Sequence, residues 1–354
     1  MESVLEQLVN TVRIHRLFHA KDRVMVGLSG GSDSVALLHL LVQLRSSWGL
    51  KLYAIHVDHQ LRLESSRDAE WVRALAKQFD LPIFIERQDV RRRCRQAGWS
   101  LEDGARRIRY QCFLEAATRY STSVIALAHT ADDQAETVLM RLLRGSGLTG
   151  LGGIPIKRLL TEPSTNRDNE WPDHSQGMWV VRPLLHVWRR QLLDYLSQEG
   201  LAYREDASNR DLRFVRNRIR HQLLPILERD YNPNVKVALT QLAEQCRCDS
   251  NYLQESAQRQ WKRLIVSANL EHVCFSLKRF ARQGKALQRQ LVRQMIQRLQ
   301  GDLRQFEFRH WLELERLFTE RPPGTIVDLP GGLRFSRQRE CLVASRKNPP
   351  GKQL

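Results

Sequence analysis

The stretch VMVGLSGGSDSVALL, from Val24 to Leu38, constrains the fold more than any other part of the chain. Val24 to Leu28 is short, apolar and partly β-branched, the pattern of a buried strand. From Val35 to Leu44 apolar residues recur at helical spacing. The intervening SGGSDS is therefore a strand-to-helix turn. Glycine there tolerates positive φ and close approach by a ligand, and Ser32, Asp33 or Ser34 can cap the helix. The free N–H groups of a helix start attract phosphate. No lysine follows the glycines, so the charge clamp of a Walker loop is missing. Asp33 would repel a dinucleotide's phosphates unless a metal intervened. Serine and glycine donors beside an acid able to hold Mg²⁺ point to triphosphate binding by another route.

The same alternation continues downstream. KLYAIHVDH reads as a second strand whose end carries His56, Asp58 and His59, LPIFIER as a third, SVIALAH as a fourth and MWVVRPLL as a fifth, with helical segments at 66–79, 101–119 and 187–199. This predicts an α/β fold: a mostly parallel five-stranded sheet with helices on both faces. Ligands in such sheets bind beyond the carboxyl ends of the strands. The segment 161–177 is a polar insertion rich in turn formers. From about 216 to 318 the text is rich in Gln, Arg and Leu and predicts helices throughout. PPGTIVDLPGGLRFSRQRECLVASRK then changes texture, which predicts a small hairpin before a disordered tail. The expected division is an α/β domain that carries the glycine loop over 1–215 and a mainly helical domain over 216–354.

Two further pieces join the loop. In LAHTADDQAETVLMRLLRGSGLTGLGG, His129 ends the fourth strand and Asp132, Asp133 and Glu136 open a helix. Capping explains one acid there, but not three beside a histidine. Positions 132 and 136 lie one turn apart, so two carboxylates can face the crevice together and receive Mg²⁺ or a substrate ammonium. The glycines that follow, Gly145 among them, predict a loop over the same sheet edge. In LEDGARRIRYQ, Arg106 and Arg109 share a helix face suited to charge on a transferring phosphoryl group, while Arg107 faces solvent. The nucleotide-binding candidates are Ser29, Gly30, Gly31, Ser32, Asp33, Ser34, His56 and Gly145. Asp33 and Asp133 are the metal candidates.

Charge narrows the partner. The net charge is +17, with arginine dominating the local clusters, which favours nucleic acid. The six cysteines include no CxxC pair, against a disulfide scaffold or a thiolate metal site. MESVLEQLVNTVRI is amphipathic and acidic rather than signal-like, and no apolar run approaches a membrane span. A reducing cytoplasm is the expected compartment, with no membrane partner and homodimerisation left open.

Taken in order, these motifs resemble the tRNA(Ile)-lysidine synthases of the PP-loop family of N-type ATP pyrophosphatases. SGGSDS at 29–34 matches the family's SGGxDS. The 127–153 stretch, GARRIRY at 104–110, VVRPLL at 180–185 and YREDASNRDLRFVRNRIRHQLLP at 203–225 match further signatures. The resemblance is strong over roughly residues 20–225 and weaker onward to PGTIVDLPGG at 323–332. It implies an adenine-nucleotide α-hydrolase-like fold that uses ATP and Mg²⁺. It also implies joining of free L-lysine to C2 of the wobble cytidine, C34, of tRNA(Ile) bearing a CAU anticodon. The C2 oxygen would first be adenylated with release of pyrophosphate, and AMP would then leave as the ε-amine attacks. On this reading Arg106 and Arg109 serve the α-phosphate side, and Asp132, Asp133 and Glu136 receive lysine or a metal. His129 or a carboxylate assists loss of the amine proton. Arg216 and Arg220 meet tRNA phosphates, while Asn217 and Arg218 brace the junction. A sulfur-inserting relative would need paired cysteines, and small-molecule synthetases leave the basic charge unexplained.

Overall fold

The computed structural model describes residues 2–60, 65–160, 177–204, 211–303 and 305–347; the polar insertion at 161–176 and the tail from 348 lie outside them. In chain order the first elements are α1 (Val4–His15), β1 (Arg23–Gly27), α2 (Ser32–Trp48), β2 (Lys51–Asp58), α3 (Ser65–Gln78), β3 (Ile83–Arg87), α4 (Val90–Ala97), α5 (Leu101–Tyr120) and β4 (Val124–Ala126). Next come α6 (Ala131–Leu143), α7 (Leu148–Leu151), β5 (Lys157–Leu160), β6 (Met178–Val181), α8 (Arg189–Gln198) and α9 (Val215–Arg218). A π-turn (Ile219–Leu223) leads into α10 (Leu224–Asp230) and the long α11 (Val235–Leu264).

The strand order is β3-β2-β1-β4-β6-β5. Pairing is parallel from β3 through β6, as the alternating sequence requires. The sheet has six strands rather than five, because β5 adds antiparallel to β6 at the edge, Arg158 opposite Val180. Its sequence, KRLL, is four residues long and has no alternation of apolar and polar side chains, so periodicity could not single it out. Apolar side chains of α1, α2, α3 and α8 cover one face, with Leu8, Leu37, Leu38, Val72 and Leu192 buried against β1 and β2. Helices α4 and α5 cover the other through Val90, Ile108, Phe113 and Ala116. Between β1 and β4 the winding direction reverses, since β2 leaves on one side of β1 and β4 on the other. That switch opens a crevice at the carboxyl ends of these two strands. Helix α6 starts there, but it does not lie on the sheet. Its Ala135, Val138 and Leu139 pack on Ile219, Leu224, Leu239 and Ala243.

Two compact units divide after Arg247, within α11, rather than near residue 215. In the second unit, β7 (Ile265–Ala268) and β8 (His272–Ser276) interrupt the helices expected throughout 216–318. They are followed by α12 (Leu277–Ala281), α13 (Lys285–Gln300), α14 (Phe308–Thr319), β9 (Ile326–Leu329), β10 (Leu333–Arg337) and β11 (Cys341–Arg346). What the sequence presents as a hairpin is the edge of a five-stranded antiparallel sheet ordered β7-β8-β11-β10-β9. Asn269 makes the missed turn: its side chain accepts from the N–H groups of Glu271 and His272, both at 2.8 Å, the local bonding that favours Asn in turns. Phe275, Phe280 and Phe335 fill the core of this unit.

Candidate active site

The loop after β1 is held by its own serines. Ser34 Oγ accepts from Gly30 N at 3.2 Å and donates to Gly31 O at 2.9 Å, and Ser29 Oγ lies 3.1 Å from it. Gly30 sits at φ +90°, in the left-handed region that favours glycine. No side chain caps α2. Its first intrahelical bond runs from Val35 N to Gly31 O at 3.1 Å, so the N–H groups of residues 32 to 34 point out of the helix end. His56 does not offer Nδ1 to a ligand: that nitrogen bonds the carbonyl of Leu28 at 2.8 Å and braces the start of the loop.

Asp33 leaves the first turn of α2 and meets a residue the sequence did not single out. Arg189 donates to it from Nη2 at 2.8 Å and Nε at 3.0 Å. The same Nη2 lies 3.4 Å from Asp133 Oδ1. One guanidinium thus brings the glycine loop and the acid helix together, and with them the two metal candidates. Burial outweighs the Arg189 contacts at Asp33 and lifts its carboxyl above the usual value. Arg189 moves upward as well, since the bonds to Asp33 overcome burial. Of the two carboxylates that share Arg189, Asp33 is the more open to another cation, its side chain 18% exposed against 11% for Asp133.

The three acids of α6 divide their work. Asp133 is the third residue of a capping box: its Oδ2 accepts from Thr130 N at 2.9 Å, while its Oδ1 accepts from Arg216 Nη2 at 2.9 Å. Glu136, 2% exposed, is gripped by Arg216 Nε at 2.8 Å and Arg220 Nε at 2.5 Å. Asp132 turns elsewhere. It accepts from the Arg189 backbone N–H at 2.8 Å, which caps α8, and lies 3.6 Å from Lys236 Nζ. The expected pairing of Asp132 with Glu136 is therefore absent; Asp133 pairs with Glu136 through Arg216 instead. Arg216 and Arg220 spend their charge inside the crevice rather than on a surface free for tRNA phosphate. Being four residues apart, they share one face. Asn217 donates to Asp211 O at 2.9 Å and Arg218 to Leu212 O at 3.0 Å, bracing the entry to α9.

His129 stands beside these acids with a buried Nδ1 that has no hydrogen-bond partner among the described residues. Burial holds its imidazole below the usual range although Asp133 opposes the shift, and Asp133 lies below its own, the nearby cations outweighing burial. Gly145 is not brought to this group. It follows the far end of α6, roughly 18 Å along the helix from Asp133 at 1.5 Å per residue, and its N–H bonds Leu142 O. The glycine segment instead folds back along α6. Arg141 ties it through Gly150 O and Gly153 O, both at 2.7 Å.

The opposite side of the site is cationic. Arg109 lines the cleft, accessible to solvent yet surrounded enough that burial lowers its pKa. Arg106 and Arg158 lie 5.1 Å and 4.8 Å from the ring centre of Tyr110. Arg182, 2% exposed, donates to Pro155 O at 2.6 Å. Arg107, expected to face solvent, is half-buried instead: it pairs with Asp103 at 2.8 Å and lies 4.9 Å from the ring centre of Trp99. The sequence contained Arg182 within VVRPLL, but nothing local marked it as part of a site.

The chain's likenesses agree with this arrangement. The PP-loop domain family matches residues 1–227, and the family described as the TilS substrate binding domain matches residues 275–343. A tRNA(Ile)-lysidine synthase of Geobacter sulfurreducens is 34% identical over 98% of this chain and 70% of the relative. One from a Nostoc species is 32% identical over 95% of both. Among solved structures, the U34-tRNA thiolase NcsA of Methanococcus maripaludis, with its 4Fe-4S cluster, covers 68% of this chain and 77% of its own at TM-score 0.52. At 16% identity that last likeness is one of fold. With a PP-loop domain spanning more than half its length and lysidine synthases aligned along nearly all of it, the chain belongs to the tRNA(Ile)-lysidine synthase family of PP-loop enzymes.

Proposed function

We propose that this chain performs ATP-dependent lysidine formation on tRNA(Ile), joining L-lysine to C2 of the CAU wobble cytidine, C34, through an adenylated tRNA. The observation that carries the reading is the Arg189 bridge, which puts the phosphate-type loop and the acids of α6 in one crevice. In the first step the C2 oxygen bonds the α-phosphorus and the anhydride to the β-phosphate breaks. In the second the ε-amine bonds C2, the C2–O bond breaks and AMP leaves. Lysine, with a reference pKa of about 10.4, must shed a proton to attack.

The residues divide by charge. The loop N–H groups at 32–34 serve the triphosphate, and Arg109 with Arg106 serves the α-phosphate side. Asp33 and Asp133 fit Mg²⁺: hard oxygens that already share one cation, in the number of carboxylates this ion usually takes alongside phosphates. When bound there it would supply charge neutralisation for the triphosphate, with Arg189 giving way. Asp133 and Glu136 form the acid wall for the lysine ammonium, with Asp132 supporting it from the start of α8, and His129, a neutral imidazole, borders it.

The test is incubation with labelled lysine, ATP, magnesium and a panel of tRNA transcripts, followed by mass analysis of the nucleoside. Lysine incorporated into tRNA(Ile) alone, with AMP and pyrophosphate formed, is the expected result. Turnover that requires a sulfur donor in place of lysine would overturn it.

A further inference from the structure

The two halves of the crevice are unequal in charge. On the acid side Asp33, Asp132, Asp133 and Glu136 face Arg189, Arg216, Arg220 and Lys236. That half is balanced as it stands. On the other side Arg106, Arg109, Arg158 and Arg182 gather around one phenol. Burial alone would raise the pKa of Tyr110, yet these four guanidiniums pull it below its usual value. Among the described residues, the groups that act most on Arg182 are Tyr110, which hydrogen-bonds it, and the guanidiniums of Arg158 and Arg106. The Nε atoms of Arg158 and Arg182 are buried and have no acceptor among the described residues. Buried guanidiniums are ordinarily paired, because an uncompensated charge away from water is costly. The arrangement therefore calls for an anion.

We propose that Arg158 and Arg182, set around Tyr110, form a phosphate-receiving site apart from the glycine loop, and that its occupant is a backbone phosphodiester of the tRNA anticodon loop. The proposal rests on the lysidine-synthase reading above. The triphosphate of ATP has its own donors at the start of α2. The second cluster is built from different elements: β5 and the residue that follows β6, around Tyr110 of α5. Its link to the reacting centre is Arg109, which acts on Tyr110 and also on His129. A phosphate held here would sit beside the acids of α6, as a wobble base entering the crevice requires of its own backbone. Arginine suits the task, since its planar fork pairs with phosphate oxygens in bidentate fashion.

Two variants test this: Arg158→Gln, at a half-buried edge position, and Arg182→Lys, which keeps the charge but loses the fork. Affinity for tRNA(Ile) transcript is measured across a salt series, and affinity for ATP without tRNA. The expected result for Arg158→Gln is a five- to thirtyfold weaker tRNA complex, with the log–log salt slope reduced by about 0.7–0.9 for one lost phosphate contact. ATP affinity stays within twofold. Arg182→Lys weakens tRNA with little change in slope. An unchanged tRNA affinity and slope in both variants overturns the site. ATP affinity falling as far as tRNA affinity assigns the cluster to the nucleotide's phosphates and overturns the occupant. A drop in thermal stability with normal tRNA binding marks a structural cluster and overturns it too. The wild-type protein is assayed for lysine incorporation in parallel. Failure there, with the salt effect intact, removes the lysidine reading and leaves the phosphate site standing.

Discussion

Arg216 Nε donates to Glu136 Oε2 at 2.8 Å across 80 residues of sequence, so the helix after β4 and the helix that opens the basic segment are locked at one carboxylate. Arg220 closes on the other oxygen. An acid that looked free to take a substrate ammonium is already sheathed by two guanidiniums. A ligand cation must compete with both or share the carboxylate with them.

Glu136→Gln should therefore cost stability as well as lysine use. Removing one partner of a buried ion pair typically costs about 3–5 kcal/mol. Asp133 remains to hold Arg216, so a loss of about 3 kcal/mol is expected, read as a lower urea midpoint at unchanged m. Adding Arg216→Gln should recover part of it, with a coupling of roughly 1–3 kcal/mol in the double-mutant cycle. A normal midpoint with lost lysine use would make Glu136 a ligand and nothing more.

Asp33 predicts the reverse balance. Its carboxyl lies above the usual value because burial outweighs Arg189, so its charge adds little to folding. Asp33→Asn should keep the melting temperature within a few degrees and leave tRNA affinity intact. AMP formation should fall at least about a hundredfold, of the order expected for losing one electrostatic stabiliser of the reacting phosphate. Ordinary AMP formation at ordinary magnesium would remove Asp33 from the site.

What the sequence disclosed follows from distance along the chain. The glycine loop and the DDQAE acids were readable because each is a local pattern fixed by one strand-to-helix turn. Arg189 was not, because its partner Asp33 lies 156 residues away and VWRRQLL reads as an ordinary helix start. Arg182 and Arg158 gain meaning only when β5 folds back on β6. Arg216 and Arg220 meet Glu136 instead of tRNA phosphate, because their partner on α6 lies about 80 residues away in sequence. Strands β7 and β8 were hidden in helix-like text because their turn depends on one asparagine side chain.

Gly30→Ala tests the loop independently of charge. At φ +90° an L-residue is strained whatever the space, and a Cβ would meet Val72 at 3.2 Å. A stability loss of about 1–3 kcal/mol is expected, with ATP affinity falling at least as sharply because the following N–H groups shift. Wild-type ATP affinity in a folded Gly30→Ala protein would show that the loop does not need this backbone geometry to bind nucleotide.

The two histidines bordering the crevice make folding sensitive to acid, and the sign is fixed by burial. His59 lies at about 4, held down first by burial and then by Arg109 and His56, with Asp58 opposing. His129 is lowered as well, and it faces Asp133, Arg182, Arg216 and Arg109. A histidine whose folded pKa is below its unfolded value of 6.5 takes up its proton more readily when unfolded. Its contribution to stability is complete above that value and is lost as pH falls toward the folded pKa. Each unit of pH in that window is worth up to about 1.4 kcal/mol per histidine. Between pH 7.5 and 5 His59 alone should remove roughly 1–2 kcal/mol. His59→Asn should flatten the pH dependence of the urea midpoint by that amount, with the remaining slope carried by His129, His39 and His186, which burial also lowers. An unaltered slope in His59→Asn would mean that its imidazole is already hydrated in the folded protein.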